Sequence, residues 1–454
     1  MDFGIIIRWW FFIFLIGIIF YPAVSKIFYG FYDKGYMFSK TIGIIVLSFS
    51  LWFLSSLKIV PFLQISILLF MALFAVIIYF IYLRKQKDFF ELHKPKIKIY
   101  IAQELVFLVL IVFWSYLRGL NPDILGLEKP SDFAMLNAII RAKFMPPMDM
   151  WFAGEGLNYY YFGQYITAFL TKLSAIKSSI TFNLMLSTLF AFAFTLAFSI
   201  SSNMFYLFKI TKINKKVLSG TKAKVMRVKK QNKKSALRWA ILAGIITAFL
   251  FTFGGNLHCF LFGHLLPTAK KHNINIHKLI DENIKVETEK DYWFWETSRY
   301  VGHNPESTED QPIIEVPIFS FVISDLHAHV INIPFILTLL GLLLMLCLRT
   351  NDSLKKQKRQ KWYVLSHEFY LVTLLIAVFQ MLNYWDFPIY LTVATVVFFY
   401  CNFLRYKFST QVFTNTLFQS TLCLGLSLFL TLPFSLNFEM AGKSIAMTTT
   451  TTAF

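Results

Sequence analysis

The stretch PPMDMWFAGEGLNYYYFGQY, residues 146–165, lies beside long apolar runs but resembles neither a spanning helix nor a solvated loop. Its two prolines, its Asp and its Glu interrupt it too often for an ordinary spanning helix. The consecutive Tyr159, Tyr160 and Tyr161 make it too aromatic for an ordinary solvated loop. Tyrosine is enriched where a membrane meets water. The stretch therefore predicts a connection that lies at a membrane boundary.

The composition around this stretch is that of a membrane protein. Of 454 residues, 56% are hydrophobic and only 15% are charged, whereas soluble domains carry roughly 25% charged residues. Apolar runs of about 18 or more residues recur, and each is long enough to cross a bilayer. We predict an all-α, polytopic protein with about ten spans. They lie near 4–22, 39–58, 61–83, 99–117, 180–208, 237–258, 330–349, 367–382, 388–404 and 414–434.

Basic clusters predict the orientation of these spans. The net charge is +19, and the positive residues gather at 84–98, 209–238 and 355–361, directly beside apolar runs. A nucleic-acid-binding protein would carry such residues on a folded basic face. The simpler interpretation is the excess of Lys and Arg in cytoplasmic loops, with contact to anionic lipids. We therefore expect membrane lipids as partners and no nucleic acid.

The parity of crossings then predicts two helices that lie along the membrane. The run 99–117 leads outward, so the connection 118–179 is external, and a single crossing at 180–208 returns the chain to the cytoplasm. The segment 159–176 therefore does not cross, and its tyrosines form an interfacial belt on a lateral helix. The segment SDFAMLNAIIRAKF is a second short helix, which Ser131 or Asp132 can cap. The connection 259–329 is external as well.

Two carboxylates at the start of this second helix are candidates for proton transfer. Glu128 or Asp132 could act as a general base or bind a divalent cation. The alternative for Asp132 is a cap of the helix, and capping and catalysis are compatible. Asp149 is a further catalytic candidate, for which ordinary solvation in a loop, together with Glu155, is the alternative.

The motif DLHAH is a candidate metal site. In an extended segment Asp325, His327 and His329 point the same way and form a triad suited to a divalent metal ion. In a helix only Asp325 and His329 share a face. The alternative is a polar helix start whose histidines bond to backbone carbonyls.

Four further residues are candidates for binding substrate. The guanidinium of Arg299 suits a phosphate, because its planar donors meet phosphate oxygens in pairs. The alternative is a surface arginine stacked on the neighbouring aromatic rings. Asn383 and Asp386 occupy a tight turn between helices, which Pro388 favours, and a structural role is the alternative for both. Arg141, near the end of the second short helix, completes this group.

A family resemblance joins these motifs. Three stretches resemble, in the same order, blocks of the uncharacterised "YYY" polytopic membrane proteins. They are EKPSDFAMLNAIIRAKFMPPMDMWFAGEGLNYYYFGQY, SRYVGHNPESTEDQPIIEVPIFSFVISDLHAHVINIPF and NYWDFPIY. The resemblance runs from about residue 100 to the C-terminus, with mild departures at Val316 and Ala328. It implies that 1–98 are N-terminal transmembrane helices and 99–454 a core. Members are usually longer, so we expect a C-terminal part to be missing.

That family is in turn similar to the C-type (GT-C) glycosyltransferases, which carry a catalytic carboxylate in a first large external loop with two membrane-parallel helices. The similarity implies sugar transfer from a polyprenyl-phosphate donor to an acceptor at the outer leaflet of the cell membrane. Asp132 or Glu128 would be the base, and Arg299, with His327 and His329, would hold the phosphate. A divalent metal held by Asp325 and the histidines could neutralise the leaving group. The three tyrosines would stack on sugar rings.

Two other functions are open. A transporter or flippase of a lipid-linked or anionic solute would need polar groups at mid-membrane. The ionisable residues inside the spans are few, with Arg8 and Glu104 the main cases. A metal-dependent membrane hydrolase would rest on DLHAH alone.

Overall fold

The computed structural model describes residues 2–84, 89, 93–216, 222–272, 294–299, 303, 311–355 and 365–439. It is 78% helical, and the described residues form no strand, which confirms the all-α prediction. The helices of seven residues or more are α1 (Phe3–Ile27), α2 (Phe38–Ser56), α3 (Gln64–Ile78), α4 (Ile97–Leu120), α5 (Lys129–Arg141), α6 (Phe162–Ser174), α7 (Ser178–Lys216), α8 (Lys222–Phe253), α9 (Pro317–Ile323), α10 (Ala328–Lys355), α11 (His367–Leu382), α12 (Asp386–Tyr406) and α13 (Thr410–Leu430).

Nine of these helices, within the described part of the chain, are long and apolar enough to cross a membrane. They are α1 to α4, α7, α8, α10, α12 and α13. The apolar helix α11 has 16 residues and corresponds to the remaining predicted span, 367–382. The prediction of about ten spans is therefore confirmed, because the apolar runs of the sequence and the helices coincide.

The contacts divide the chain into two units. The first comprises Met1–Ala248 and Asp325–Glu439, and the second comprises Phe249–Ser324 and Met440–Phe454. In the first unit α1 packs on α2, α4 on α7, α10 on α7 and α11, and α12 on α13. The spans of α2, α7 and α10 are mostly buried, whereas less than a third of each of the spans of α3, α4, α12 and α13 is buried. The exposed apolar faces are the surfaces that lipid would cover. The boundary predicted after residue 98 stays a prediction.

A buried ion pair links the helices of the first unit. Lys40 in α2 is fully buried, and its Nζ lies 2.5 Å from Glu104 Oε2 in α4. Glu104 also accepts hydrogen bonds from Trp10 Nε1 and Tyr36 Oη, both at 2.7 Å. A second buried carboxylate, Asp33, lies between α1 and α2. Its side-chain donors are Gln103, Ser199 and Asn203. These bonds connect α1, α2, α4 and α7.

Helix α6 is short and enclosed by other helices. Its 13 residues extend about 20 Å, less than the roughly 30 Å hydrocarbon core of a bilayer. This agrees with the prediction that 159–176 does not cross. It packs against α1, α2, α3, α10 and α11, and a Cβ on Gly163 would lie only 2.8 Å from Ile331 Cδ1. The glycine therefore allows α6 to approach α10 closely.

The predicted tyrosine belt on this helix is wrong. The three tyrosines precede α6, which begins at Phe162. Tyr161 is buried, and its hydroxyl accepts a hydrogen bond from Trp52 Nε1 at 3.1 Å. Tyr159 and Tyr160 are half-buried. Because α6 is covered by neighbouring helices, its aromatic side chains pack inside the protein instead of facing a lipid interface.

Candidate functional site

Helix α5 begins at Lys129, before the two residues predicted to cap it, Ser131 and Asp132. Lys129 and Pro130 form its first turn, and Glu128 occupies the capping position without a side-chain capping bond. A proline is well tolerated there because the first helical N–H groups have no partner within the helix. The Asp132 N–H donates to the Glu128 carbonyl at 3.0 Å. The prediction that Ser131 or Asp132 caps α5 is therefore wrong, and the Asp132 side chain is left for other contacts.

The Asp132 carboxylate joins three parts of the chain. It is only 5% exposed, and its Oδ1 accepts a hydrogen bond from Gln164 Nε2 in α6 at 3.0 Å. The same Nε2 donates to the carbonyl of Leu326, just before α10, at 3.1 Å. Among the described residues, Asp132 Oδ2 is buried with no hydrogen-bond partner. A buried oxygen without a partner is costly for a charged carboxylate.

The pKa of Asp132 reflects this environment. Burial, with smaller contributions from the charges of Asp325 and Glu128, raises the pKa of Asp132 to about 8, while the hydrogen bond from Gln164 opposes the change. A carboxyl group whose pKa lies near neutrality can both accept and release a proton at physiological pH. Strongly shifted pKa values gather at functional sites, although structural networks also produce them.

His327 pairs with the second candidate carboxylate. Its Nδ1 lies 3.2 Å from Glu128 Oε2, and its ring centroid lies 5.2 Å from that of His329. Asp325 and His327 belong to a non-helical segment, whereas His329 lies in the first turn of α10. The extended arrangement that would align all three side chains therefore ends at Ala328.

These residues are not arranged as a ready metal site. No group of three or more His, Cys, Asp or Glu side chains in the described ranges is placed to hold a metal ion. The imidazole of His327 already contacts Glu128. The metal site at Asp325, His327 and His329 stays a prediction, and we derive no chemical step through a metal.

Two cations accompany the carboxylates. The Arg118 guanidinium donates to Asn183 Oδ1 at 2.8 Å and to the Asp123 carbonyl at 2.7 Å, so it holds the α4–α5 loop against α7. Lys129 is half-buried. Burial and the charge of Arg118 lower the pKa of Lys129, and the charge of Asp325 opposes that change. Asp325 thus lies within electrostatic reach of both cations and of Asp132.

The tyrosines border this cluster. The rings of Tyr159 and Tyr160 lie 4.2 Å apart. Burial is the main cause that raises the pKa of Tyr159, followed by Tyr160 and then by the charges of Glu128 and Asp132. Tyr159 is therefore a neighbour of the carboxylates, and its role in binding substrate stays a prediction. The Tyr160 ring lies 6.4 Å from Phe438, beyond α13.

Asn383 and Asp386 are held in a structural contact. Asp386 Oδ2 accepts hydrogen bonds from Asn383 Nδ2 at 2.8 Å and from Asn332 Nδ2, in α10, at 2.7 Å. Asn332 follows His329 by one helical turn, so this contact fixes the α11–α12 turn beside the start of α10. The geometry favours the structural alternative for both residues.

Three predicted site residues make other contacts. Asp149 Oδ1 accepts from two successive backbone N–H groups, which closes a turn. Arg141 is exposed at the far end of α5, and its nine-residue separation from Asp132 corresponds to about 14 Å along the helix. Arg299 belongs to the second unit, where its guanidinium lies 5.4 Å from the Trp295 ring centroid. This contact favours the stacked alternative, and phosphate binding by Arg299 stays a prediction. Two of its expected aromatic neighbours, Trp293 and Tyr300, lie outside the described residues.

The sequence matches the family described as "Uncharacterized membrane protein (DUF2298)" over residues 46–454. The chain belongs to the DUF2298 family. No curated protein and no solved structure matches it. The family description agrees with the apolar helices and assigns no activity.

In the DUF2298 chain, two residues that are not among the predicted site residues lie at the site. Gln164 follows the three tyrosines and joins α5, α6 and the segment before α10 through one amide group. The one local feature of the sequence that could have indicated Gln164 is a polar side chain within an apolar helix. Lys129 precedes Asp132 within the same motif, EKPSD. The electrostatic environment of Lys129 depends on the fold, because its charged neighbours Arg118 and Asp325 come from other parts of the chain.

The arrangement in the DUF2298 chain suits proton transfer at a hydroxyl group. Asp132 supplies a carboxyl group with a near-neutral pKa, and Lys129 and Arg118 supply positive charge beside Asp325. Glu128 and His327 form a second acid–base pair. Such groups can activate a hydroxyl nucleophile and balance charge on a leaving phosphate.

Proposed function

We propose that the protein is a membrane glycosyltransferase that moves a sugar from a polyprenyl-phosphate donor to an acceptor hydroxyl on the non-cytoplasmic side. The observation that carries this proposal is the buried carboxyl group of Asp132. Its Oδ2 is without a hydrogen-bond partner among the described residues. The charges of Asp325 and Glu128 act on this carboxyl group, and Lys129 lies three residues before it in the same helix.

In the proposed step, Asp132 reacts in its ionised form, whose share grows as the pH rises toward its pKa of about 8, and Oδ2 accepts the proton of the acceptor hydroxyl. The hydroxyl oxygen bonds to the anomeric carbon of the sugar, and the bond between that carbon and the phosphate oxygen breaks. The polyprenyl phosphate leaves with the electron pair. The positive charge of Lys129 stabilises the phosphate oxygens as that charge develops. Gln164 keeps the base oriented through its bond to Oδ1.

The loop before α5 offers a surface for the donor's hydrocarbon tail. Leu120, Leu125 and Leu127 are exposed in the segment that leads from α4 to Glu128. A polyprenyl chain is apolar, so burying it against these side chains is favourable. A donor could then approach from the bilayer with its phosphate directed to Lys129.

The resemblance of EKPSDFAMLNAIIRAKF to the "YYY" proteins, and through them to the C-type glycosyltransferases, supports the same reaction. In that similarity the catalytic carboxylate lies in the first large loop, which here contains α5, α6 and Asp132. This is an argument by analogy, because one fold can host several chemistries.

Sugar transfer in reconstituted vesicles tests the proposal. Vesicles would receive polyprenyl-phosphate mannose or polyprenyl-phosphate glucose labelled in the sugar, and label transferred to lipid-extractable or protein-bound acceptors would be measured. Removing a general base costs roughly 10²–10⁴-fold in rate, so we expect a loss of that order for Asp132→Asn. Asp149→Asn is the matched control, because its carboxylate closes a turn.

Three outcomes would contradict specific parts of the proposal. Full activity of the double variant Glu128→Gln, Asp132→Asn would exclude both carboxylates as the base. A loss with Asp149→Asn that equals the loss with Asp132→Asn would move the base to the neighbouring turn. A loss on chelation with EDTA that added Mg²⁺ or Mn²⁺ reverses would establish a metal requirement.

The transporter alternative has one observation in its favour. Charged residues inside membrane spans often mark pathways, and Lys40 and Glu104 form such a pair. The pair is closed by hydrogen bonds from Trp10 and Tyr36, which suits a helix-to-helix link. Uptake of a labelled lipid-linked or anionic solute by the same vesicles, lost in Glu104→Gln and kept in Asp132→Asn, would favour transport.

A further inference from the structure

A small hairpin stands between α5 and α6. Met148 and Gly156 form an isolated antiparallel bridge. The Asp149 N–H donates to the Glu155 carbonyl, and the Leu157 N–H donates to the Pro147 carbonyl, both at 2.9 Å. The turn at its tip is closed by Asp149 Oδ1. We call residues 147–157 the hairpin.

The tip of the hairpin exposes large apolar side chains although its base is fixed. Met148, Trp151 and Phe152 are 58%, 74% and 68% exposed, whereas Leu157 at the base is 4% exposed. Trp151 and Phe152 donate their backbone N–H groups to Asp149 Oδ1 at 2.7 and 2.8 Å. The turn that exposes these side chains is therefore held by hydrogen bonds. Exposed apolar clusters of this kind mark interaction sites.

The hairpin base adjoins the turn between α2 and α3. The Phe62 N–H donates to the Lys143 carbonyl at 2.7 Å, and Lys58 Nζ donates to the Met145 carbonyl at 2.7 Å. The ammonium groups of Lys58 and Lys143 lie 5.8 and 5.7 Å from the centroid of the Phe144 ring. Both lysines are exposed. Two positive charges thus stand beside one aromatic ring at the foot of the apolar tip.

This surface continues the lipid-facing surface of α3. Among the candidate spans in the described residues, α3 has the smallest buried share. Its exposed face extends through Leu63 into the turn, where Ile59 is also exposed. The hairpin belongs to the connection between span α4 and span α7, together with α5 and α6, and this connection begins and ends at the ends of two spans. Tryptophan is enriched at that depth, where a membrane meets water.

We propose that the hairpin and the α2–α3 turn form a binding surface for anionic phospholipid. Trp151, Phe152 and Ile59 enter the boundary between headgroups and acyl chains, and Lys58 and Lys143 bind the lipid phosphate. Charge complementarity and continuity with the α3 surface favour lipid over a protein partner. The proposal does not depend on the reaction at Asp132.

Fluorescence quenching tests the depth of the tip. The chain has 10 tryptophans, so the emission of Trp151 is obtained as the difference between the unchanged protein and Trp151→Phe in lipid nanodiscs. We expect lipids brominated near the headgroup end of their acyl chains to remove most of this emission, and aqueous iodide to remove little. The matched control is Trp114→Phe, since Trp114 is 4% exposed and its emission should respond less to either quencher.

Two quenching results would overturn the proposal. Strong quenching by iodide with none by brominated lipid would place the tip in water. Protection of Trp151 from both quenchers would show that a second copy of the chain or another protein covers the tip.

Native mass spectrometry with phosphatidylglycerol tests the lysines. Lys58→Gln and Lys143→Gln should each weaken binding about fivefold, the effect of roughly 1 kcal/mol for each basic residue at a membrane surface, and binding of phosphatidylcholine should stay unchanged. Lys177→Gln is the control, because Lys177 is exposed at the same end of the bundle, just before α7. An equal loss with Lys177→Gln would indicate general surface attraction and refute a headgroup site at the hairpin.

Discussion

Replacing Lys40 by Met should lower the free energy of unfolding by about 3–5 kcal/mol, the cost of removing one partner of a buried ion pair. The ammonium group contacts Glu104 Oε2 at 2.5 Å, and both side chains are buried. After the change, the Glu104 carboxylate keeps only the bonds from Trp10 and Tyr36. Two neutral donors replace part of the solvation that a carboxylate loses on burial.

Met is the suitable replacement because it keeps the volume of the lysine stem. A Cβ on Gly17 would lie 2.7 Å from Lys40 Cγ, so α1 approaches α2 directly over this stem. The unbranched Met side chain fills the same space. The loss of stability would therefore report the missing charge, with little contribution from a cavity.

A double-mutant cycle separates the ion pair from its surroundings. Removing the charge of Glu104 as well, in Lys40→Met with Glu104→Gln, leaves no unpaired buried charge. The amide oxygen of Gln can still accept one of the two neutral hydrogen bonds. We expect the double variant to be more stable than Lys40→Met alone, with a coupling energy of about 2 kcal/mol or more.

Equilibrium unfolding in mixed micelles of a mild detergent and an increasing fraction of dodecyl sulfate provides the measurement, with helix content followed by circular dichroism. The reasoning would be refuted if the double variant lost as much stability as Lys40→Met and Glu104→Gln together, measured as single variants, because the two charges would then not interact. A Lys40→Met variant as stable as the unchanged protein would have the same meaning.

Three further changes test the site and its surroundings. Gly163→Ala should cost about 1–3 kcal/mol by overpacking against Ile331, and Ile331→Val, which removes the contacted Cδ1, should restore part of the loss in the same unfolding assay. Burial raises the pKa of Asp132 from 3.8 to about 8, so the native state holds a proton that the unfolded state has released. Stability should therefore fall as pH rises from about 4 to about 8, and thermal unfolding of Asp132→Asn should lack this slope. Asp149→Ala should speed hydrogen exchange at the Trp151 amide, whose acceptor it removes, and unchanged exchange would contradict the turn.

The spans could be predicted from the sequence because the cost of placing a segment in hydrocarbon depends on that segment's own side chains. The apolar run at 367–382 coincides with α11, and the short α6 agrees with the count of crossings. The start of α5 differs from the prediction, because Ser131 and Asp132 are both good capping residues, whereas the helix already begins at Lys129 and Pro130, where a proline is well tolerated.

The contacts of the site could not be predicted in the same way. The sequence selected Asp132, Glu128 and His327, and the fold brings these residues together. It did not select Gln164, which is 32 residues from Asp132 and 162 residues from Leu326. No periodicity relates residues at such separations. Arg299 and Arg141 had suitable chemistry, yet their neighbours are an aromatic ring and solvent.

The sequence by itself determined that this chain is a polytopic helical membrane protein, since hydrophobicity acts on each segment separately. Only the tertiary structure decided which polar groups meet at Asp132, because that depends on how α5 and α6 pack beside the start of α10. The same packing buries the Asp132 carboxyl group and raises its pKa, and burial is a property of the assembled helices that no single segment carries.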